Sequence, residues 1–324
     1  MPNRIGALTN IGVAREVTRG TAVTAQAWIP KDEFSFNDNV EYIKQEAPYG
    51  VIQDIMDGEV GKNWGAGTIS GPVQSDTIGY ILGSTFGAFP TATGTVNGYT
   101  HVFNVAQNSQ HASLTLTRFD ANEFIRFPLT VVNSLEINYE LGSYLTFTAD
   151  FMSKQGVTTT SSAASYTNVP KFRPQDVSVI IADTFAGLGS GTAVPVESAT
   201  IKIEKNVTEF QTLGSTDITD IHNGRFGFTA TFVLIWDDAT YKGFFKAGTK
   251  KAFRFRAVNT NRVIGGGATN PSIQFDLAPS LLEEFGLDET NDGVLKQTIG
   301  ITGLFDVATG NSITCTLVNA IAAY

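Results

Sequence analysis

Alternation of apolar and polar residues is the feature that most constrains this chain. It occurs in Phe34-Ser35-Phe36, Ser113-Leu114-Thr115-Leu116-Thr117, Leu135-Glu136-Ile137-Asn138-Tyr139 and Leu145-Thr146-Phe147-Thr148-Ala149. It returns in Ala199-Thr200-Ile201-Lys202-Ile203, Phe228-Thr229-Ala230-Thr231-Phe232, Ala252-Phe253-Arg254-Phe255-Arg256, Ser272-Ile273-Gln274-Phe275 and Ile313-Thr314-Cys315-Thr316-Leu317. A period of two buries one face of a strand and leaves the other wet, so these runs predict antiparallel sheets in sandwiches or barrels. Helical periodicity is scarce. Ser75 to Leu82 and Asp237 to Phe245 follow capping-type residues and predict helices, and Ser280-Leu281-Leu282-Glu283-Glu284-Phe285 is a weaker third candidate. The expected fold class is all-β, with one short helix in each half.

The 324 residues leave room for about two domains, each large enough for its own core. Several features suggest that the two are copies. Trp64-Gly65 and Phe226-Gly227 precede the two helix candidates at the same spacing as Asp76 and Asp238, a spacing equal to half the chain. Gly20-Thr21-Ala22-Val23 returns as Gly191-Thr192-Ala193-Val194. The strand from Ser113 matches that from Ser272, Leu135/Ile137 match Ile299/Ile301, and Leu145-Thr146 matches Ile313-Thr314. Order kept across six features argues for an internal repeat, although two antiparallel domains also align loosely by chance. The segment Gly156 to Asn168, rich in Ser and Thr, reads as an exposed linker with a boundary near Ser165. The expected division is 1–157, a linker 158–170, and 171–324. Gly265 to Pro271 and Thr91 to Thr100 read as loops in matching places.

Only 16% of residues are charged, against ~25% in ordinary domains. The net charge of -9 and pI of about 4.9 have the wrong sign for a surface that grips phosphate backbones. No run is long and apolar enough for a membrane helix, and Met1-Pro2-Asn3-Arg4 opens no signal-type apolar region, so a soluble protein made in a cytoplasm is expected. The single cysteine, Cys315, lies on the apolar phase of its run and reads as a core residue.

No catalytic constellation emerges. His101, His111 and His222 lack metal-ligand spacing; His101 and His111 flank a turn near Asn108 and could meet across a hairpin, but the structural reading is favoured. Gly187-Leu188-Gly189-Ser190-Gly191 has its glycines at the wrong offsets for a nucleophile elbow and lacks the ending of a phosphate loop. Asp288 to Gly293 resembles a calcium loop but has Ile299 where the bidentate Glu belongs. Asn206-Val207-Thr208 fits a glycosylation sequon that would be inert without secretion. Lys250, Lys251, Arg254 and Arg256 read as a solvated face or a contact for an acidic partner. The expected site assignment is therefore no catalytic residue, no cofactor and no metal, in a non-enzymatic structural or binding protein.

Ala14-Arg15-Glu16-Val17-Thr18-Arg19-Gly20-Thr21-Ala22, followed by Trp28-Ile29-Pro30, resembles the opening of the tail tube proteins of long-tailed bacteriophages, with Glu16, Thr18, Gly20 and Thr21 at the family's positions. His111 to Phe119, Val132-Asn133-Ser134-Leu135-Glu136-Ile137 and Gly142 to Asp150 are similar to three of the family's strands in their usual order. The resemblance implies a β-sandwich with a flanking helix per repeat, joined edge to edge into rings that stack as a tube. DNA passes through such a tube from capsid to host without specific binding. Implied partners are further copies of the chain, a tape measure protein, a tail terminator and baseplate proteins, in a virion tail assembled in the host cytoplasm. A duplicated chain would fill two of six ring positions, so three chains would close a ring; six chains with one repeat outside the wall is the alternative. Long segments such as Glu46 to Gly58 and its counterpart Thr208 to Gly224 are suited to reaching an adjacent ring. Which carboxylates face the lumen is not readable from the sequence. The competing functions are a β-sandwich that binds carbohydrate or surfaces, and a hydrolase whose carboxylates only the fold brings together.

Overall fold

A computed structural model describes residues 5–46, 49–120, 122–289 and 293–324. The first half contains β1 (Asn10–Arg15), β2 (Ala27–Ile29), β3 (Glu33–Gln45), β4 (Asp57–Pro72), α1 (Ile78–Phe86), β5 (Thr93–Thr95), β6 (Gly98–Asn104), β7 (Leu114–Phe119), β8 (Phe124–Glu140), β9 (Thr146–Ser153) and β10 (Val157–Thr158). The second contains β11 (Val177–Ala182), β12 (Thr192–Val194), β13 (Val196–Glu204), β14 (Thr208–Phe210), β15 (Asp220–His222), β16 (Gly227–Ile235), α2 (Thr240–Ala247), β17 (Lys251–Val258), β18 (Ser272–Asp288), β19 (Lys296–Thr302) and β20 (Ile313–Asn319).

Pairing repeats between the halves. In the first, an outer sheet runs β2-β1-β7-β8 and an inner one β8-β9-β4-β3; in the second the orders are β12-β11-β17-β18 and β18-β19-β16-β13. All these pairings are antiparallel. The long strands β8 and β18 belong to both sheets: residues before about Thr130 and Ser280 lie in the outer sheets, those after in the inner one. Apolar faces of inner and outer sheets and the two helices enclose one continuous core that spans both halves. Its inner-sheet contribution is the alternation read from sequence, with Leu135, Ile137, Phe147, Ala149, Ile201, Phe232 and Ile299 buried and the intervening residues open.

Among the described residues, two strand ladders join the halves, with isolated bridges at Asn63↔Asp217 and Gln74↔Lys171. β13 lies on β8 through seven residue pairs, from Ser198↔Glu140 to Glu204↔Ser134, making the two inner sheets one. β20, which pairs β18, also pairs β6 of the first half.

Both helices are where their capping residues predict. α1 ends at Gly87 and α2 at Gly248, each in the left-handed conformation (φ 93° and 62°), and the Asp238 carboxylate accepts the Thr240 N–H at the start of α2. α1 is wholly buried because β6 and the C-terminal Tyr324 cover it. A Cβ at Gly79 would lie 2.0 Å from the Tyr324 ring, so only glycine permits that approach.

Three expectations need correction. Ser280 to Phe285 is part of β18: a bulge between Leu282 and Glu284 adds a residue, and this gives Leu281, Leu282 and Phe285 a helix-like spacing within a strand. The repeat also aligns differently from the sequence matches. By pairing, the counterpart of β7 is β17, not the strand from Ser272; Leu135 corresponds to Phe285; and Ile313-Thr314 opens β20, which stands where β10 does. Short runs of Thr and aliphatic residues align in several registers, and only hydrogen-bond partners distinguish them. Within 158–170, Thr158 pairs β8 and the Tyr166 hydroxyl donates to Asn10 Oδ1 at 3.0 Å, so this segment is partly tied to the first half.

Where β8 changes sheets, Leu129 takes a positive φ of 53°, which costs a branched residue energy. The buried Glu16 carboxylate holds that corner. Oε1 accepts from Leu129 N–H (2.8 Å) and the Thr115 hydroxyl (3.0 Å), while Oε2 accepts from Gly20 N–H (2.7 Å) and the Ser113 hydroxyl. Four donors satisfy a charge that would otherwise be costly to bury. Glu16→Ala should lower stability by about 3 kcal/mol or more, since it leaves four donors without their acceptor. A thermal melt showing a loss under about 1 kcal/mol would contradict this role.

Candidate functional site

The eight-stranded inner sheet, ordered β3-β4-β9-β8-β13-β16-β19-β18, is the largest organised surface of the molecule. One face forms the core roof. The other is open and consists of the polar half of each alternating strand. Rows across it read Thr146-Asn138-Thr200-Thr231-Gly300-Glu284 and Ser70-Thr148-Glu136-Lys202-Thr229-Thr302. Thr and Ser dominate, stitched by side-chain bonds such as Thr200 Oγ1 to Asn138 Oδ1 (2.8 Å).

The charge on this face is acidic. Glu33, Glu136, Glu140, Asp150, Glu204 and Glu284 occupy it, against Lys202 and Lys296. Each lysine is already held by a carboxylate: Lys202 by Glu204 (2.7 Å) and Lys296 by Glu197 (2.8 Å). The Glu204 partner raises the Lys202 pKa, so its charge is both fixed and neutralised locally. Asp150 accepts from the Thr68 and Ser134 hydroxyls, both at 2.6 Å. A polyanion facing this surface meets repulsion and finds no free ammonium array.

The sheet ends in two open edges. Among the described residues, β3 pairs only β4, and the Leu281–Asp288 stretch of β18 pairs only β19. Unpaired N–H and C=O groups along these edges can accept another strand.

Past the sheet, the two inner hairpins diverge. In the second half, residues 205–226 fold back as the β14–β15 hairpin across the end of the first half. Lys62 Nζ meets Glu209 at 2.7 Å, Gln211 donates to Gly61 O (2.8 Å), and Asn63 N–H donates to Thr216 O (2.8 Å). Ile218 and Ile221 pack with Leu129 and Val131, with Trp64, Met152 and Val207 around them. Arg19, inside the Glu16 to Thr21 segment, bonds Asp220 (3.0 Å) and the backbone oxygens of Ile221 and His111. The expectation that Thr208 to Gly224 reaches outward is therefore corrected in part: Ile218, Ile221 and the ion pairs are satisfied within the chain, while Phe210 and Leu213 at the far end of the hairpin stay exposed. In the first half the β3–β4 pairing continues past a bulge at Glu41/Tyr42 as an arm, with Tyr42, Ile43, Tyr49, Val51, Ile52 and Ile55 exposed.

The other sequence candidates have structural partners. His101 packs at a tilt against Tyr324 and bonds Ile321 O (2.8 Å); His111 bonds Ala106 O (3.0 Å), and burial with nearby Lys205 and Arg19 brings its pKa down to about 4. They do not meet each other, and His222 lies against Phe210 on the β14–β15 hairpin. Cys315 is buried in β20. Arg254 makes a two-pronged pair with Asp276 (2.6 and 3.0 Å) and Lys251 pairs Asp183, so two of the four basic residues are engaged internally. Gly187 to Gly191 is a short 3-10 turn and its neighbour, while Thr290, Asn291 and Asp292 of the calcium-like segment lie outside the described residues. No group of three or more His, Cys, Asp or Glu residues suited to a metal occurs among the described residues, and no helix is long and apolar enough to cross a membrane.

Sequence reasoning found the strands that build the sheet but not the β8–β13 joint or the two open edges. No local signal marks them, because ladder bonds are made by backbone common to all residues. No individually curated protein matches the chain. The family model described as phage tail tube protein matches residues 6–303, nearly the whole chain, in agreement with the all-β architecture and the Glu16 to Thr21 opening. The chain belongs to the phage tail tube protein family and is a structural component of the virion tail.

Proposed function

We propose that three copies of this chain close into a ring, that rings stack into the tail tube, and that the acidic open face of the inner sheet lines the channel through which DNA leaves the capsid. The observation that carries this reading is the β8–β13 joint. β3 is the counterpart of β13 in the pairing order, and β18 the counterpart of β8. The chain thus contains one complete joint and, at its two ends, the two unjoined halves of a second. A head-to-tail contact of this kind closes into a ring when its rotation divides a full turn, as the proposed three-chain ring requires. Residues 1–157 and 171–324 then occupy adjacent ring positions, with 158–170 crossing between them.

Transferring the internal register gives the partners across the joint. Lys202↔Glu136 becomes Asn37 of one chain opposite Gly286 of the next, and Ile201↔Ile137 becomes Phe36 opposite Leu287. Both pairs keep their side: Asn37 and Gly286 on the open face, Phe36 and Leu287 toward the core.

Barrel dimensions favour three chains. Eight strands spaced by ~4.8 Å and tilted by ~40° cover about 50 Å of circumference per chain. Three chains then give a backbone radius of roughly 24 Å, leaving a channel wide enough for duplex DNA after side chains are allowed for, whereas six chains with both repeats in the wall, as the β8–β13 joint has them, double it. The acidic face suits passage without adhesion, since each neutralised phosphate would add affinity and drag. A virion tail ends on other proteins, so a tape measure protein within and a terminator and baseplate at the ends are the further partners. The role is mechanical, with no chemistry assigned to any residue.

Two measurements test the proposal. Asn37→Cys combined with Gly286→Cys should give, on oxidation of assembled protein, a covalent species of three chains and no larger ladder; a six-chain ring, or free thiols in assembled rings, would refute the joint or the count. Glu136→Lys with Glu284→Lys should slow DNA ejection from phage carrying the variant at low ionic strength, with recovery as salt is added. An ejection rate unchanged at every salt concentration would remove the open face from the channel.

A further inference from the structure

The described residues of the arm, 40–46 and 49–60, expose several large apolar side chains, Ile52 fully so. Such a surface calls for a cover. The chain contains a worked example of that cover, because residues 205–226 are the arm's counterpart and lie seated on the first half. Counted back along the descending strand from the equivalent residues Gly65 and Phe228, Ile55 stands where Ile218 does. Ile218 is buried and Ile55 is exposed.

The seat has a counterpart too. On the first half the hairpin rests on Gly61, Lys62 and Asn63. The same positions in the second half are Gly224, Arg225 and Phe226, and Ser153 at the end of β9 corresponds to Gly303 after β19. These residues line an open cavity of about 570 Å³, together with Phe228, the exposed Phe305, His111 and Lys205. No described residue fills it. Lys205 lies at its floor, buried, with a single hydrogen bond from Nζ to Ser84 O (2.7 Å) and no carboxylate partner among the described residues. Burial pushes its pKa well down, which a carboxylate neighbour would reverse. The arm carries Glu46, Asp54, Asp57 and Glu59, so it offers both the apolar residues and the charge that the cavity lacks.

We propose that the cavity bounded by Gly224–Phe228, Gly303 and Phe305 is the seat for the β3–β4 arm of the neighbouring copy of this chain, the copy whose β3 joins β18 in the same ring. This inference rests on the proposed ring. In the seat, Ile52 and Ile55 pack on Phe226 and Phe305, and Glu46, which stands where Gln211 reaches Gly61, offers its carboxylate to Arg225, while Lys44 takes the place of Glu209. Each arm straps the joint that its own strand β3 makes, as residues 205–226 strap the internal one.

The test places a photo-cross-linking aromatic residue at Ile52, where full exposure makes misfolding of the single chain no concern. Assemblies are grown from equal parts of isotopically heavy and light chains and irradiated. Cross-links between heavy and light chains that map to 224–228 or 303–305 are expected. Rings that form normally but cross-link elsewhere, such as to residues 140–143 of a chain in the next ring, or not at all, overturn the seat and leave the ring intact. Chains that never form rings, seen by mass, overturn both. As a second measurement, Ile55→Asp should raise the concentration needed for ring formation about tenfold while leaving the melting temperature of the single chain unchanged; an unchanged assembly threshold counts against the seat.

Discussion

The structure depends on one strand having four partners. β8 lies between β7 and β10 in the outer sheet, then crosses to the inner sheet, where it pairs β9 on one side and β13 of the other half on the other. Without the crossing there is no shared core; without the second inner partner the inner sheets of the halves are separate. The crossing is the expensive point, since a left-handed Leu129 must be held there, and Glu16 supplies four bonds to hold it. This gives a physical reason for the acidic residue in the Glu16-Val17-Thr18-Arg19-Gly20-Thr21 opening. Its carboxylate is an internal clamp, and the neighbouring Arg19 extends the clamp to the second half through Asp220.

An unpaired strand edge is ordinarily a hazard to a soluble protein. Here the hazard has a direction. The internal joint shows what one edge does when it meets the other, and the free edges on β3 and β18 are the same two surfaces. A chain built this way specifies its partner by repetition of a contact it already makes. The polar face of the same sheet adds a second constraint: Thr and Ser keep it uncharged over much of its area, and its charges sum to negative, so the proposed channel is slippery to a polyanion rather than adhesive.

The two inner hairpins illustrate how one element acquires two fates. Residues 205–226 find the first half of their own chain beside them and bury Ile218 and Ile221 on it. The described residues of 40–60 have no such neighbour within the chain and almost all stand exposed. The difference lies less in local preference than in position, since the arm belongs to the half with nothing on its β3 side.

Alternation in the sequence determined the strand content, the polarity of each face and the burial of Cys315, because a period of two assigns every residue to one side of a sheet. Capping-type residues located both helices, although only Asp238 accepts a bond at a helix start and α1 begins after Thr77 without a side-chain cap. The family opening was legible in Glu16, Thr18, Gly20 and Thr21, although nothing local revealed that Glu16 reaches Leu129 over a hundred residues away. The β-bulge at Glu283 misled helix reading for a local reason, an extra residue that changes the spacing. The true register of the repeat, the β8–β13 joint, the open edges and the cavity beside Phe226 were decided only by tertiary structure. They are made of backbone pairing and of the space left between elements, and neither depends on which side chains stand next to each other in the chain.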